Sequence, residues 1–359
     1  MLLYKPDWKE AQERFKAWWE GELNEPLLQI TSPRESVKEQ YSWDYWYIVK
    51  NPHEPEKIVG EFERWCSRMF FGGEAYPNLW INLGAGVLGA FLGAEPKFTG
   101  DTVWFGASWN PRLQRSLEEL QEVELDPNNK WWRIARELTR RIGELGLGKF
   151  IVGMTDIGGI LDVIASLRGT VNLLRDMFHR PSMLERVIWR VLDLWHQCYD
   201  ELYRLNPQEG TSAWMGLWCH GRWYPIQCDL AYMFSPKMFE KFVLPHIREQ
   251  CVRLDYAIYH LDGVGQLPHL DMLLGIPELS GIQWVPGAAE EASGHHRGSP
   301  KWIPLYKKIL RRGKKLVLWI PPESIRFIVR ELGSKNLALQ IFVETEREAK
   351  ELLKQLRAL

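Results

Sequence analysis

Residues 256–263 read YAIYHLDG. The stretch begins as a β-rich run and leaves the strand through His260 and Asp262, just before a turn residue, Gly263. Strand side chains alternate faces with a period of two, so His260 and Asp262 point to one side and can serve one metal ion or one proton network. Similar runs recur on both sides of this one. Upstream lie 78–83 (NLWINL), 102–105, 149–154 (KFIVGM), 211–218 (TSAWMGLW) and 223–229 (WYPIQCD). Downstream lie 281–285 (GIQWV), 315–320 (KLVLWI) and 337–343 (LALQIFV). A short apolar run from Leu27 to Thr31 is a further strand or an extended entry segment. Stretches of helical period separate most of these, at 112–123, 130–144, 182–205, 235–254, 301–312, 322–332 and 345–358, and two more precede them at 5–24 and 55–71.

Strands alternating with helices predict parallel pairing through βαβ crossovers, in a closed barrel or an open doubly wound sheet. No GxGxxG or GxxxxGK[ST] follows an early strand, so the phosphate loops typical of open sheets are missing and no nucleotide cofactor is expected. Polar and aromatic residues gather just past the strands, at Asp156, Trp218 to His220, Asp229, His260 to Asp262, Trp284 and Glu344. In a barrel such strand ends meet at one mouth. The expected fold is α/β, a single (β/α)8 TIM-type barrel over residues 1–359, with 1–75 as an N-terminal helical extension packed on it.

Composition narrows the function classes. The 359 residues are 45% hydrophobic and 25% charged, as in a globular protein. Lys plus Arg (45) nearly cancels Asp plus Glu (46), so no broad field draws in nucleic acid or an anionic membrane. The opening MLLYKPDWKEAQERFKAWWEG lacks the apolar core of a signal peptide, which gives a cytoplasmic expectation. Five cysteines without a CxxC pair suggest reduced thiols, and Cys219, His220 and Cys228 lack structural-zinc spacing.

Nineteen tryptophans are the compositional oddity. Several, such as Trp18, Trp19 and Trp195, fall in helical segments and read as core. Trp214, Trp218, Trp284 and Trp319 lie in or beside strands, where with Gln283 they would wall a largely apolar cavity with a few polar anchors. Such walls suit a methoxylated aromatic, a quaternary amine, a corrinoid edge or a sugar ring. Asp156 and Asp229 read either as acid/base groups at strand ends or as anions at helix starts. Glu344 reads as a third ligand or as the first charge of the closing helix.

From residue 76 onward the chain resembles the uroporphyrinogen decarboxylase-like superfamily. The matching stretches are FGGEAYPNLWINLGAGVLGAFLG (71–93), TDIGGILDVIASLRG (155–169), DLAYMFSPKMFEKFVLPHI (229–247), YHLDGVGQLPHL (259–270) and GIQWVPG (281–287). The resemblance implies a barrel with its site at the strand C-termini. It also implies an acidic group facing the mouth at Asp229 and a pocket wall at Gln283 and Trp284. The decarboxylases carry an Arg-rich N-terminal segment, whereas this chain reads WWEGELNEP there, so porphyrinogen decarboxylation is not expected. The zinc methyltransferases of the superfamily carry His-x-Cys on the strand that here offers His260-Leu261-Asp262, and a second Cys near the last strand, where this chain reads LALQIFVET.

The resulting expectation is a methyltransferase-like enzyme. It would move a methyl group between a small substrate and a corrinoid held by a partner protein, with Asp156, Asp229, His260 and Asp262 as catalytic groups. A divalent metal, zinc or another, would sit on His260 and Asp262, with Glu344 as the outlying candidate. One alternative is a metal-assisted lyase or hydrolase acting on a small carboxylate or carbohydrate. The other is a non-catalytic ligand-binding barrel. A homodimer is compatible with the sequence.

Overall fold

The computed structural model describes residues 1–34, 43–100, 102–333 and 335–357. Its strands are β1 (Leu27–Pro33), β2 (Met69–Gly73), β3 (Asn78–Trp80), β4 (Pro96–Phe98), β5 (Val103–Phe105), β6 (Ile151–Gly153) and β7 (Thr211–Ser212). They continue as β8 (Trp218–Cys219), β9 (Trp223–Gln227), β10 (Tyr256–Asp262), β11 (Gly281–Val285), β12 (Lys315–Trp319) and β13 (Leu337–Phe342). The chain is a mixed α/β protein built on a seven-stranded sheet of order β2-β1-β13-β12-β11-β10-β9. All pairings in it are parallel except β1 with β2. A second sheet runs β3-β6-β7-β8, parallel up to the β7–β8 hairpin.

Five expectations change. The stretch 211–218 is no single strand. Ala213–Leu217 forms a loop containing Gly216 at φ 68, and the chain doubles back as β8. The run 102–105 pairs only with β4, in a separate two-stranded hairpin. Residues 1–75 are more than a helical extension, because β1 and β2 are members of the main sheet. The helix read at 55–71 ends at Ser67, where the chain turns into β2. The helix read at 235–254 breaks at Val243, two residues before Pro245, which can donate no backbone hydrogen bond.

Register divides the main sheet into two chemically different faces. Gln227 lies opposite His260, His260 opposite Gln283, and Gln283 opposite Val317; two residues further along β12, Trp319 lies opposite Gln340, and Gln340 opposite Gln29. This face is polar toward the strand C-termini. The alternate residues, among them Tyr259, Ile282, Trp284, Leu318 and Leu339, are buried in the core under the helices. The loop after β7 lies across the polar face, where Gln29 Nε2 donates to Gly216 O and Gln340 Nε2 to Met215 O, both at 2.7 Å.

The opposite end of that face is plugged by the helix Trp8–Glu20. Trp8, Ala11, Phe15, Trp18 and Trp19 form its buried stripe, and Gly21 ends it in the left-handed conformation at φ 75. These rings meet Leu27, Trp223, Ile258, Val317 and Ala338, residues from the N-terminal parts of the strands. Trp19 Nε1 donates to Trp218 O at 2.8 Å, and Trp8 packs edge-on against Trp218 with centroids 5.5 Å apart.

Two buried histidines make the fold sensitive to acid. Burial lowers His196 to about 4, with Arg253 adding to the effect, and lowers His246 to about 3, opposed by nearby Gln250, which does not reach hydrogen-bond geometry. Both folded values lie below the ordinary value near 6.5. The stability that depends on their neutral forms is therefore intact above that pH and erodes as pH falls toward 4 and 3. Asp156, raised to about 6 by burial, has the opposite slope. Comparing variants isolates the histidine contribution: His246→Leu is expected to recover on the order of 2 kcal/mol of the stability lost between pH 7 and pH 5. Thermal unfolding of both proteins at the two pH values checks this, and an equal fall in each contradicts it.

Candidate functional site

Asp229, His260 and Asp262 each bring one ligand-type atom into a group whose members all lie within 4.8 Å of one another. Strand β10 supplies His260 and Asp262 from one face, as their spacing requires. Gly263 follows at φ 84, a conformation that favours glycine, and its N–H donates to Val285 O at 2.8 Å, which fixes the end of β10 against β11. Asp229 opens the turn after β9, and Gln227 Nε2 donates to its Oδ2 at 3.3 Å.

A second carboxylate holds that turn. Asp162, in the helix Ile160–Arg168, accepts from Asp229 N at 3.0 Å and from Leu230 N at 2.8 Å. Gly159 leaves room for the contact, because a Cβ there would stand 2.3 Å from both Asp162 Oδ2 and Gln227 O. Its φ of −82 is ordinary, so any strain in a substitution is spatial. Gly159→Ala is expected to cost about 1–3 kcal/mol through overpacking and to displace the turn that carries Asp229. Thermal unfolding measures the first effect, and ligand or metal affinity the second. A variant that melts and binds like the parent contradicts this account.

The electrostatics follow from crowding of acids in a half-buried place. Burial, and after it the charges of Asp162, Asp262 and Asp156, pushes Asp229 well above the usual carboxylate range. Asp229 keeps a solvent-exposed edge, which weakens the effect of burial and leaves that of the neighbouring carboxylates. His260 is lowered, chiefly by burial. Its hydrogen bond to Gln283 and the charge of Asp262 oppose the shift, and the charge of Arg297 adds to it. A neutral imidazole whose Nδ1–H donates to Gln283 Oε1 leaves the Nε2 lone pair free for a metal or a proton.

The predicted wall is partly assembled. Trp214 stands edge-on against His260 with centroids 5.1 Å apart, and Trp319 stands edge-on against Trp214 at 6.3 Å. The indole N–H groups of Trp80, Trp214 and Trp319 and the amide Nε2 of Gln283 are buried with no partner among the described residues. Trp284 is not part of this wall. It lies on the opposite sheet face, fully buried against Trp302 at 5.1 Å, because it adjoins Gln283 in a strand of period two. Trp218 is also elsewhere, in the plug around Trp8, with its N–H donated to Glu209 O.

Asp156 lies near the cluster but outside it. Its buried carboxylate accepts from Gly158 N at 2.8 Å and from the Tyr224 hydroxyl at 3.2 Å, which ties the turn after β6 to β9. Glu344 is exposed and does not join the group; its N–H bonds Glu348 Oε2 as the last helix begins. Cys219 and Cys228 lie in different cores, and burial pushes Cys219 up to about 12 and Cys228 well above the ordinary thiol value. Neither supplies a thiolate. Sequence reasoning missed Gln227, Asp162 and Arg297. Gln227 was within reach of period two, two residues before Asp229, whereas Asp162 occupies an unremarkable helical position.

No protein-family description matches the chain, and no curated protein sequence matches it. Among solved structures, a methyltransferase from Methanosarcina mazei aligns over 97% of this chain and 98% of its own, with a TM-score of 0.56 and 13% sequence identity. At that identity the likeness shows a shared fold, end to end.

Proposed function

We propose that the chain is a methyltransferase-like enzyme of the uroporphyrinogen decarboxylase-like superfamily. In this reading the two sheets close into an eight-stranded barrel, and the polar strand ends form its mouth. The enzyme moves a methyl group between a small substrate and a corrinoid presented by a partner protein. The observation that carries the reading is the Asp229–His260–Asp262 group, placed at the strand C-termini of a chain that aligns throughout with a methyltransferase.

The thiolate-rich zinc set of the superfamily does not fit these residues, because Asp262 stands where that set has a Cys and neither Cys219 nor Cys228, each buried in a hydrophobic core, joins the cluster. An oxygen-rich set does fit. A divalent cation would be held by Asp229, His260 and Asp262, would relieve the repulsion between the carboxylates, and would supply Lewis-acid polarisation of a substrate heteroatom. With no cation on Nε2, His260 would instead exchange a proton there; Trp214 and Trp319 restrict water around it in either case.

Incubation of methylcobalamin with thiols or amines as methyl acceptors, and of cob(I)alamin with methoxyaryl compounds as methyl donors, tests the proposal through loss or gain of the methylated cobalamin spectrum. Background rates across all three classes contradict it. One observation favours a second reading, an acid/base lyase or hydrolase: a carboxyl held toward its protonated form at Asp229 stands beside a neutral imidazole at His260. Turnover of a small carboxylic acid with no cobalamin requirement would select it.

A further inference from the structure

We propose that Arg297, lying over the Trp319 ring, recognises a carboxylate on the substrate through the free edge of its guanidinium, on the same aromatic wall as the Asp229–His260–Asp262 cluster. This rests on the site assignment above and adds the chemical class of the ligand.

Arg297 lies in the loop that follows the short helix Ala288–Ala292 after β11, and its backbone is fixed from both sides. The Tyr306 hydroxyl donates to Arg297 O at 2.6 Å, and Gly298 N donates to His296 Nδ1 at 3.1 Å. Gly298 is packed so closely that a Cβ would stand 2.3 Å from Ser324 Oγ. The guanidinium lies 5.6 Å from the centroid of Trp319. Trp319 meets Trp214, and Trp214 meets His260, so the cation and the cluster share one continuous aromatic wall.

The guanidinium is poorly partnered for its position. Its Nε is buried with no partner among the described residues, and its ion pair with Glu291 is 3.4 Å long with the acid partly exposed, a geometry worth little. Fully buried cations are treated differently. Lys5 Nζ donates to Phe71 O and Gly73 O, and Lys314 Nζ to Ile276 O and Leu279 O. Those two act as staples. Arg297 keeps donors in reserve, and its planar fork matches a carboxylate.

Charge distribution sets the polarity of the ligand. Asp229, Asp262, Asp162 and Asp156 make the cluster end acidic, so a ligand carboxylate is repelled there and attracted to Arg297. The reacting heteroatom then points to His260. A quaternary amine is disfavoured, because the face of Trp319 that would receive it already carries the protein's own cation.

Calorimetric titration of the full chain with benzoate, benzamide and benzyltrimethylammonium tests this. Benzoate is expected to bind at least about tenfold more tightly than the other two. Arg297→Ala should lose that margin toward benzoate and leave benzamide unchanged, and Arg297→Lys should fall between. If Arg297→Ala melts early, Arg297→Gln keeps the stem over Trp319 and carries the same expectation. The inference is overturned if benzoate does not bind, if benzamide or the ammonium ion matches it, or if removal of the guanidinium leaves benzoate affinity intact. Carboxylate selectivity controlled by Arg297 in a protein without methyl transfer would retire the methyl-transfer reading alone. Methyl transfer without carboxylate selectivity would retire this inference alone.

Discussion

His260→Ala is expected to lower turnover by about 10²–10⁴-fold while shifting the melting temperature by less than about 5 °C. The cluster has one nitrogen donor. His260 keeps its Nε2 free because Nδ1 is committed to Gln283, and burial holds the ring neutral at physiological pH. Removing it leaves two carboxylates, Asp229 and Asp262, with nothing between them to share a proton or complete a cation site. Any divalent metal that copurifies with the parent should be lost in the variant, which elemental analysis reads directly. The fold should tolerate the change, because the side chain contacts Trp214 and Gln283 at the strand ends rather than the helix-covered core. A variant with full turnover removes His260 from the mechanism.

The largest effect on stability is expected from Glu74→Ala, about 3–5 kcal/mol, or roughly 4–7 °C in melting temperature. Glu74 is 1% exposed. Its Oε1 accepts from Arg14 Nε at 2.5 Å and its Oε2 from Leu28 N at 2.6 Å. The carboxylate therefore joins the plugging helix to the first strand of the main sheet. Alanine would leave a largely buried guanidinium and a buried backbone N–H without this acceptor, and that loss exceeds the net worth of the intact pair. Glu74→Gln, which keeps an acceptor for Leu28 N, should recover part of the loss. Thermal unfolding of the three proteins checks the order, and equal melting temperatures contradict it.

The sequence made some of this structure readable, and the reasons for the misses are physical. β11 runs over 281–285 as read, because a five-residue apolar run between turn residues is a strong local signal. His260 and Asp262 share a face because period two is geometric, and they do come together. The same rule separates Gln283 from Trp284, but only the pairing register shows that Gln283 is the one beside His260. The run 211–218 failed because apolar character also serves a loop buried beneath other elements, here Ala213–Leu217 in the plug. Asp162 reaches Asp229 from a separate helix, and Arg297 reaches Trp319 from a loop. Neither contact has a periodicity that a sequence can display. The placement of β1 in the main sheet depends on β13, some three hundred residues away, and no local pattern encodes so distant a pairing.

Methyl transfer is tested most directly by supplying the protein with cobalamin bearing an isotopically labelled methyl group and small thiol, amine and phenolic carboxylic acids, then measuring the label in the products by mass spectrometry. The predicted result is labelled product in at least one class, formed by the parent protein and reduced at least about a hundredfold in His260→Ala. Label remaining wholly on the cobalamin, or moving equally well with both proteins, would contradict it.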